Sequence, residues 1–352
     1  MEYISIKTPK GIRKIGPGHP CFIVSEMSGN HNRSFVRAKK IIDVAAKAGV
    51  DAIKLQTYTA DTLTIDSDKK YFKIKTGTWS GKTLYQLYSQ AYTPWQWQLK
   101  LKKYAEQKGL IFFSTPFDHT AVDFLEKMNV KLYKVASFEI GDIPLLKRIG
   151  KTKKPVIMSR GMASIEEIKL AIKILRLNGC KQIAVLHCVS SYPAQAKDMN
   201  LATIADIKKK FNVISGLSDH TLGYTSSIVA VALESSIIEK HVTLKRSDKG
   251  PDASFSLEPK ELFEMVSAIR DTEQAIGNPI YKIIKKESEN IVFKKSIFVV
   301  RDIKKSEKFT KENVRVIRPG HGLEPKYYEQ VLGKKAKRNI SSGTPLKKSL
   351  VS

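Results

Sequence analysis

Short apolar runs alternate with helix-period stretches eight times in the first 244 residues, and no other feature restricts the fold as much. The runs are FIVSEM (22–27), AIKLQT (52–57), LIFFSTPF (110–117), LYKVAS (132–137), PVIMSR (155–160), IAVLHCV (183–189), VISGLSD (213–219) and IIEKHVTL (237–244). Between them, stretches such as VRAKKIIDVAAKAG, TAVDFLEKM, IEEIKLAIKILRLNG and ELFEMVSAIRDTEQAIG repeat their apolar residues at a period near 3.6. Strand, helix and strand in succession imply parallel pairing with right-handed crossovers. Eight such units in roughly 250 residues match a closed (β/α)8 TIM barrel. A doubly wound sheet is the alternative, but no G-x-G-x-x-G follows the first run.

The pattern changes after Gly277. Residues 1–278 are assigned to the barrel, and the Lys-rich stretch 279–295 reads as a linker. Residues 296–352 show β-type alternation broken at KKSEK and RPGHG, the pattern of a separate small β-rich domain.

The net charge of +27 invites a nucleic-acid reading, since clustered Lys and Arg displace counterions from phosphates. The excess is mostly Lys, however, spread over segments such as KIIKK, IKKSEK and GKKAKR without a recognised nucleic-acid motif. It is read as a solvated surface that steers anionic substrates, so no nucleic-acid partner is expected. A non-catalytic basic barrel that binds anionic polymer is the distant alternative. No stretch approaches the ~20 apolar residues of a membrane span, and the first sixteen residues lack a signal-peptide core. Cys21, Cys180 and Cys188 are odd in number and scattered, which argues against a disulfide framework and for a cytoplasmic protein.

Barrels of this class carry their chemistry at the C-terminal ends of the strands. Polar residues interrupt the apolar runs there: Glu26, Lys54 with Gln56, Thr115, Lys134, Ser137, Glu139, Ser159, Tyr192, Ser218 with His220, and Glu239 with His241. A buried lysine is costly unless an anion meets it, and two converge here with several hydroxyls. That set suits a ligand carrying both phosphate and carboxylate. His220 and His241 come from adjacent strand ends, and paired neutral imidazoles suit Mn, Fe, Co, Ni or Zn. Either histidine alone is better explained as a hydrogen-bonded core residue; the pair favours a metal. From these residues alone the reading is a metal-assisted enzyme acting on a phosphorylated acid.

Other signals carry less. GTWSGKT (77–83) is one residue short of a P-loop and follows no strand. His187 and Cys188 read as core. His31 is equally a substrate contact or a loop-capping group. The aromatic segment TWSGKTLYQLYSQAYTPWQWQ fits helix packing.

The motifs FIVSEMSGNHN, DAIKLQT, FFSTPFD, YKVASFEI, MSRGMAS, CVSSYPA, GLSDHTLG, EKHVTL and GPDASFSLEP occur in this order. They resemble the sialic acid synthase family over nearly the whole chain. NVRVIRPGHGL resembles that family's antifreeze-like domain. The resemblance implies condensation of phosphoenolpyruvate with an N-acetylated amino-sugar aldehyde, giving a nine-carbon 2-keto sugar acid and phosphate. It implies that Lys54, Thr115, Lys134, Ser137, Ser159 and Ser218 cradle phosphoenolpyruvate. His220 and His241 match divalent-metal ligands, usually for Mn²⁺, with Co²⁺ or Mg²⁺ as alternatives. Glu139, Tyr192 and Asp252 match positions facing the acceptor, and Glu26 is expected as general base. Arg318 matches an arginine that the partner subunit's antifreeze-like domain presents to the sugar, which implies a domain-swapped homodimer.

Within the family, LYQLYSQAYTPWQW, CVSSYPA and DASFSLEP are more similar to pseudaminic acid synthases than to N-acetylneuraminate synthases. The latter tend to carry an acidic residue where this chain has Ser191. The implied acceptor is 2,4-diacetamido-2,4,6-trideoxy-altrose, with N-acetylmannosamine or a legionaminate precursor as the alternative. Met158, Arg160 and His321 depart from the family pattern, which puts local substrate contacts in question.

Overall fold

The computed structural model describes residues 3–8 and 11–352, which form two compact units, Met1–Gly277 and Asn278–Ser352. A hairpin of β1 (Ile4–Thr8) and β2 (Gly11–Ile15) opens the first unit. Eight parallel strands follow: β3 (Phe22–Glu26), β4 (Ala52–Thr57), β5 (Ile111–Pro116) and β6 (Tyr133–Val135). They continue as β7 (Val156–Ser159), β8 (Ile183–Cys188), β9 (Ile214–Asp219) and β10 (Ile237–His241). The strands close in chain order, β10 pairing with β3, so the expected TIM barrel is the observed fold.

Alternation along each strand divides the barrel into an inside and an outside. Phe22, Val24, Ala52, Phe113, Leu132, Ile157, Leu186, Ile214 and Ile237 point inward and fill the lower barrel. Their strand neighbours, such as Ile23, Ile53, Tyr133, Met158, Val185 and Ile238, point outward and pack under the helices. Gly216 occupies an inward position where a Cβ would lie 2.5 Å from the Ile237 carbonyl oxygen and 2.7 Å from Leu186. The interior is therefore full at that level. Ile4, Ile6 and Ile15 of the hairpin join the inward cluster. The sequence reading assigned no strands to this hairpin.

The crossover helices begin with the caps that their sequences offer. The Ser34 hydroxyl accepts the Arg37 N–H ahead of Phe35–Ala48, and Ser164 with Glu167 forms a capping box ahead of Ile165–Leu177. Two strands stop two or three residues short of their apolar runs. After β6 the chain turns at Ala136, whose carbonyl accepts the Glu139 N–H, and this carries Ser137 and Glu139 over the barrel end. After β10, Val242 pairs with Leu257 instead of extending the barrel strand. Among the described residues, no helix is long and apolar enough to cross a membrane.

The second unit is built on β11 (Ser296–Val299), paired antiparallel with β12 (Val314–Ile317). Ile297, Val299, Phe309, Val314 and Leu346 form its core. The stretch read as a linker carries helical turns at Lys285–Ser288 and Glu289–Phe293.

Candidate active site at the barrel mouth

The apolar filling of the barrel gives way to polar side chains at the upper inward positions of the strands, in β4 at both Lys54 and Gln56. Glu26, Lys54, Thr115, Lys134, Ser159, Cys188, Ser218 and Glu239 form this upper layer, with His241 closing β10. The pairing register aligns His241 with Glu26, and Glu26 with Lys54, on three neighbouring strands. Above the layer lies a cavity of about 430 Å³. Eleven of the thirteen expected site residues line it: Glu26, Lys54, Lys134, Ser137, Glu139, Ser159, Tyr192, Ser218, His220, His241 and Asp252. Thr115 sits one step back, where its hydroxyl accepts from Lys54 Nζ at 3.3 Å. Arg318 belongs to the second unit, exposed and one residue beyond β12.

The floor of the cavity is a buried network of two ammonium groups and two carboxylates. Lys54 Nζ lies 2.9 Å from Glu26 Oε2 and 3.4 Å from Glu239 Oε1. Lys134 Nζ lies 3.6 Å from the same Glu239 oxygen and donates to Ser159 Oγ at 2.8 Å. Ser218 Oγ donates to Glu239 Oε1 at 3.1 Å. Burial works against the charge on Lys54, but Glu239 and Glu26 together hold it protonated. Lys134 has one close carboxylate, and burial pulls its pKa down. Burial also pushes the Glu26 carboxyl up despite Lys54, whereas Glu239, facing both lysines, stays ionised. Two cations with convergent hydroxyls form a seat for an oxyanion.

His220 and His241 face each other beside this seat, their ring centroids 5.5 Å apart. His220 Nδ1 lies 3.0 Å from the Val189 carbonyl oxygen, a bond that holds a proton on Nδ1 and turns Nε2 away from it. His241 Nδ1 is buried with no hydrogen-bond partner among the described residues, and burial with the cationic surroundings keeps this ring neutral. Burial works against charge on His220 as well, but Cys188 and the Val189 carbonyl raise its pKa; with that proton displaced, the oriented pair suits a divalent cation whose remaining positions go to substrate oxygen or water. Among the described residues, no group of three or more His, Cys, Asp or Glu side chains is arranged to hold a metal.

The rest of the rim mixes polar and aromatic groups. Tyr192 stacks on His220 at 4.5 Å and on Phe255 at 5.4 Å. Asp252 accepts a short hydrogen bond from Ser28 and lies 3.7 Å from His241 Nδ1. Glu139 is half-buried, its Oε2 is closed to water with no hydrogen-bond partner among the described residues, and desolvation raises its pKa to about 7. Gly161, at φ +47°, lets the turn after β7 press on Ser137, since a Cβ there would lie 2.4 Å from the serine Cβ.

The secondary signals now separate. His31 is a structural group: its Nδ1 accepts the Arg33 N–H at 3.1 Å, its Nε2 meets Thr93 Oγ1 at 3.1 Å, and burial lowers its pKa to about 4. His187 is buried on the outer side and bonded to the Met199 carbonyl, as a core residue should be. Cys188, read as core, instead points inward and lines the cavity, its Sγ 3.8 Å from His220 Nδ1. Arg160 Nε donates to His187 Nδ1 at 3.1 Å, Met158 points outward into the core, and His321 is exposed in the second unit. The aromatic segment also does more than pack helices, for Trp79, Leu84, Leu87 and Tyr88 form one wall of the cavity.

Comparison with known proteins places this architecture. Residues 41–281 match the NeuB family model and residues 294–352 the SAF domain model. The pseudaminic acid synthase of Campylobacter jejuni serotype O:23/36 is 43% identical over 93% of this chain and 96% of that protein. An N,N'-diacetyllegionaminic acid synthase of Campylobacter jejuni serotype O:2 is 38% identical over 90% of this chain and 96% of its own length. Among solved structures, the N-acetylneuraminic acid synthetase of Leptospira borgpetersenii, crystallised with citrate, matches with a TM-score of 0.72 and 33% identity. It covers 82% of this chain and 96% of that one. The chain belongs to the NeuB family, with a SAF domain at its C-terminal end.

Proposed function

We propose that the protein is a pseudaminic acid synthase, a transferase that joins phosphoenolpyruvate to 2,4-diacetamido-2,4,6-trideoxy-altrose and releases phosphate. The observation that carries this reading is one cavity holding a two-lysine oxyanion seat beside two oriented imidazoles. The identity to a pseudaminic acid synthase supports the choice of acceptor.

In the proposed reaction, carbon 3 of phosphoenolpyruvate attacks the acceptor's C1 aldehyde and a C–C bond forms. The aldehyde oxygen takes a proton and becomes a hydroxyl. Water adds at carbon 2, and the tetrahedral intermediate loses phosphate by C–O cleavage, leaving the 2-keto acid. Lys54 and Lys134 bind the phosphate and carboxylate, with hydroxyls from Ser137, Ser159 and Ser218 fixing their orientation. Thr115 holds the Lys54 ammonium from behind. Glu26, whose burial favours taking up a proton, is placed to accept one from the attacking water. Glu139, Tyr192 and Asp252 orient the acceptor. A divalent cation, Mn²⁺ foremost, would be held by His220 and His241 and would supply Lewis-acid polarisation of a carbonyl oxygen.

The direct test is phosphate release from phosphoenolpyruvate with three acceptors: the trideoxy-altrose, the legionaminate precursor and N-acetylmannosamine. The first should give the highest kcat/KM. A clear preference for either other acceptor overturns the assignment.

We also propose that Arg318 serves the cavity of a second subunit in a homodimer. Its planar guanidinium suits an acetamido oxygen. Arg318→Ala and Lys54→Ala should each be nearly inactive, and mixing them should restore activity because one mouth per heterodimer is complete. Heterodimers that remain inactive would overturn the action in trans.

A further inference from the structure

The cavity has two unlike sides. Its floor is charged and comes from the strand ends, whereas one wall is apolar and comes from a single excursion of the chain between β4 and β5. Leu63, Ile74, Leu84 and Leu87 present this wall. The excursion is braced. Residues 73–83 form an antiparallel turn in which the Ile74 N–H meets the Lys82 carbonyl at 2.9 Å and Lys73 pairs with Thr83. Two side chains tie this turn to the loops that carry Tyr192 and Asp252. Trp79 Nε1 donates to the Pro251 carbonyl at 2.9 Å, and Thr78 Oγ1 donates to the Tyr192 carbonyl at 2.7 Å.

We propose that Ile74 and Leu84 determine acceptor specificity by receiving the deoxygenated C6 methyl of the sugar. This rests on the acceptor proposed above. A methyl group meets those side chains by dispersion and loses water favourably. A hydroxyl in its place gives up hydrogen bonds to water and finds no donor or acceptor on these aliphatic side chains. Aliphatic walls reject an added hydroxyl only moderately, so the expected preference for the 6-deoxy sugar is about 10–100-fold in kcat/KM. The two ties to the barrel loops fix the distance between wall and floor, so that the sugar's reacting end and its methyl end are positioned together.

The experiment uses the full-length protein with pairs of diacetamido acceptors that differ only in hydrogen or hydroxyl at C6. Wild type is compared with Ile74→Gln/Leu84→Gln by phosphate release, with KM for phosphoenolpyruvate and thermal melting as controls. The double variant should lose most of the C6 preference, falling to about threefold or less. Its KM for phosphoenolpyruvate should stay at the wild-type value, because the wall lies apart from the lysine floor. Should the double variant lose its melting transition, Leu84→Gln alone is read instead, with a partial loss of preference expected. A folded variant that keeps the wild-type preference overturns the inference. Wild type that turns over both members equally also overturns it and leaves the proposed reaction intact. No phosphate release with any diacetamido acceptor overturns the proposed function itself.

Discussion

Replacing Lys54 with methionine lowers kcat/KM for phosphoenolpyruvate by about 10²–10³-fold, the range for removing one preorganised charge-stabilising donor. It also destabilises the fold by about 3–5 kcal/mol, the range for breaking a buried ion pair from one side. Both effects follow from the position of Nζ, 2.9 Å from Glu26 and 3.4 Å from Glu239, on the buried floor of the cavity. Without the ammonium, two buried carboxylates face each other and the oxyanion seat keeps only Lys134. The two effects are separable. Adding Glu26→Gln to Lys54→Met removes one orphaned charge, so much of the stability returns while activity stays lost. Denaturant unfolding and phosphate release measure the two quantities on the same samples. Wild-type kcat/KM in the single variant would show that Lys54 does not bind the substrate.

Removal of divalent metal should abolish activity. Chelation is expected to cost at least ~10³-fold, because Lewis-acid polarisation contributes several kcal/mol and each 1.36 kcal/mol is a factor of ten. Added Mn²⁺ should restore the wild type. His241→Ala should stay inactive and show no tightly held Mn²⁺ by electron paramagnetic resonance, with its melting temperature close to wild type. The buried Nδ1, with no hydrogen-bond partner among the described residues, motivates this expectation, since a structural histidine would have satisfied that atom. Full turnover by metal-free protein would remove the metal from the mechanism.

The barrel was legible because its period is short and local. In LYKVAS, IIEKHVTL and VISGLSD each alternate residue points the same way, so placing Lys134, Glu239, His241 and Ser218 required only the strand direction. The same logic, applied to IAVLHCV, would have separated the outward His187 from the inward Cys188, which were read together as core. Segments without a period were not legible. Leu84 and Leu87 lie three apart on a short helix, a spacing that packs against protein or faces a cavity equally well. Only the tertiary ties of Trp79 and Thr78 decide between these. The N-terminal hairpin was missed for a related reason, because its isoleucines acquire a meaning only when the open end of the barrel receives them. Thr115 has the expected type and strand position, and its hydroxyl touches Lys54 one step behind the cavity lining.

On β9 and β10, site and scaffold are interleaved one residue at a time. Ser218, Glu239 and His241 face inward, while Asp219 and Lys240 between them form a fully buried ion pair at 2.9 Å on the outer side. The outer pair is fastened by Ser227 Oγ, 2.8 Å from the aspartate, and Lys240 also donates to the Thr221 carbonyl at 2.5 Å. Substitutions can therefore alter one side without the other, and this region can accumulate point changes in chemistry on an unchanged frame. Insertions and deletions have no such freedom. Loss of one residue from β10 would turn Lys240 into the cavity and Glu239 into the apolar helix layer, exchanging every role in the strand at once. In descent, the spacing of these residues is then under stronger restraint than their identities.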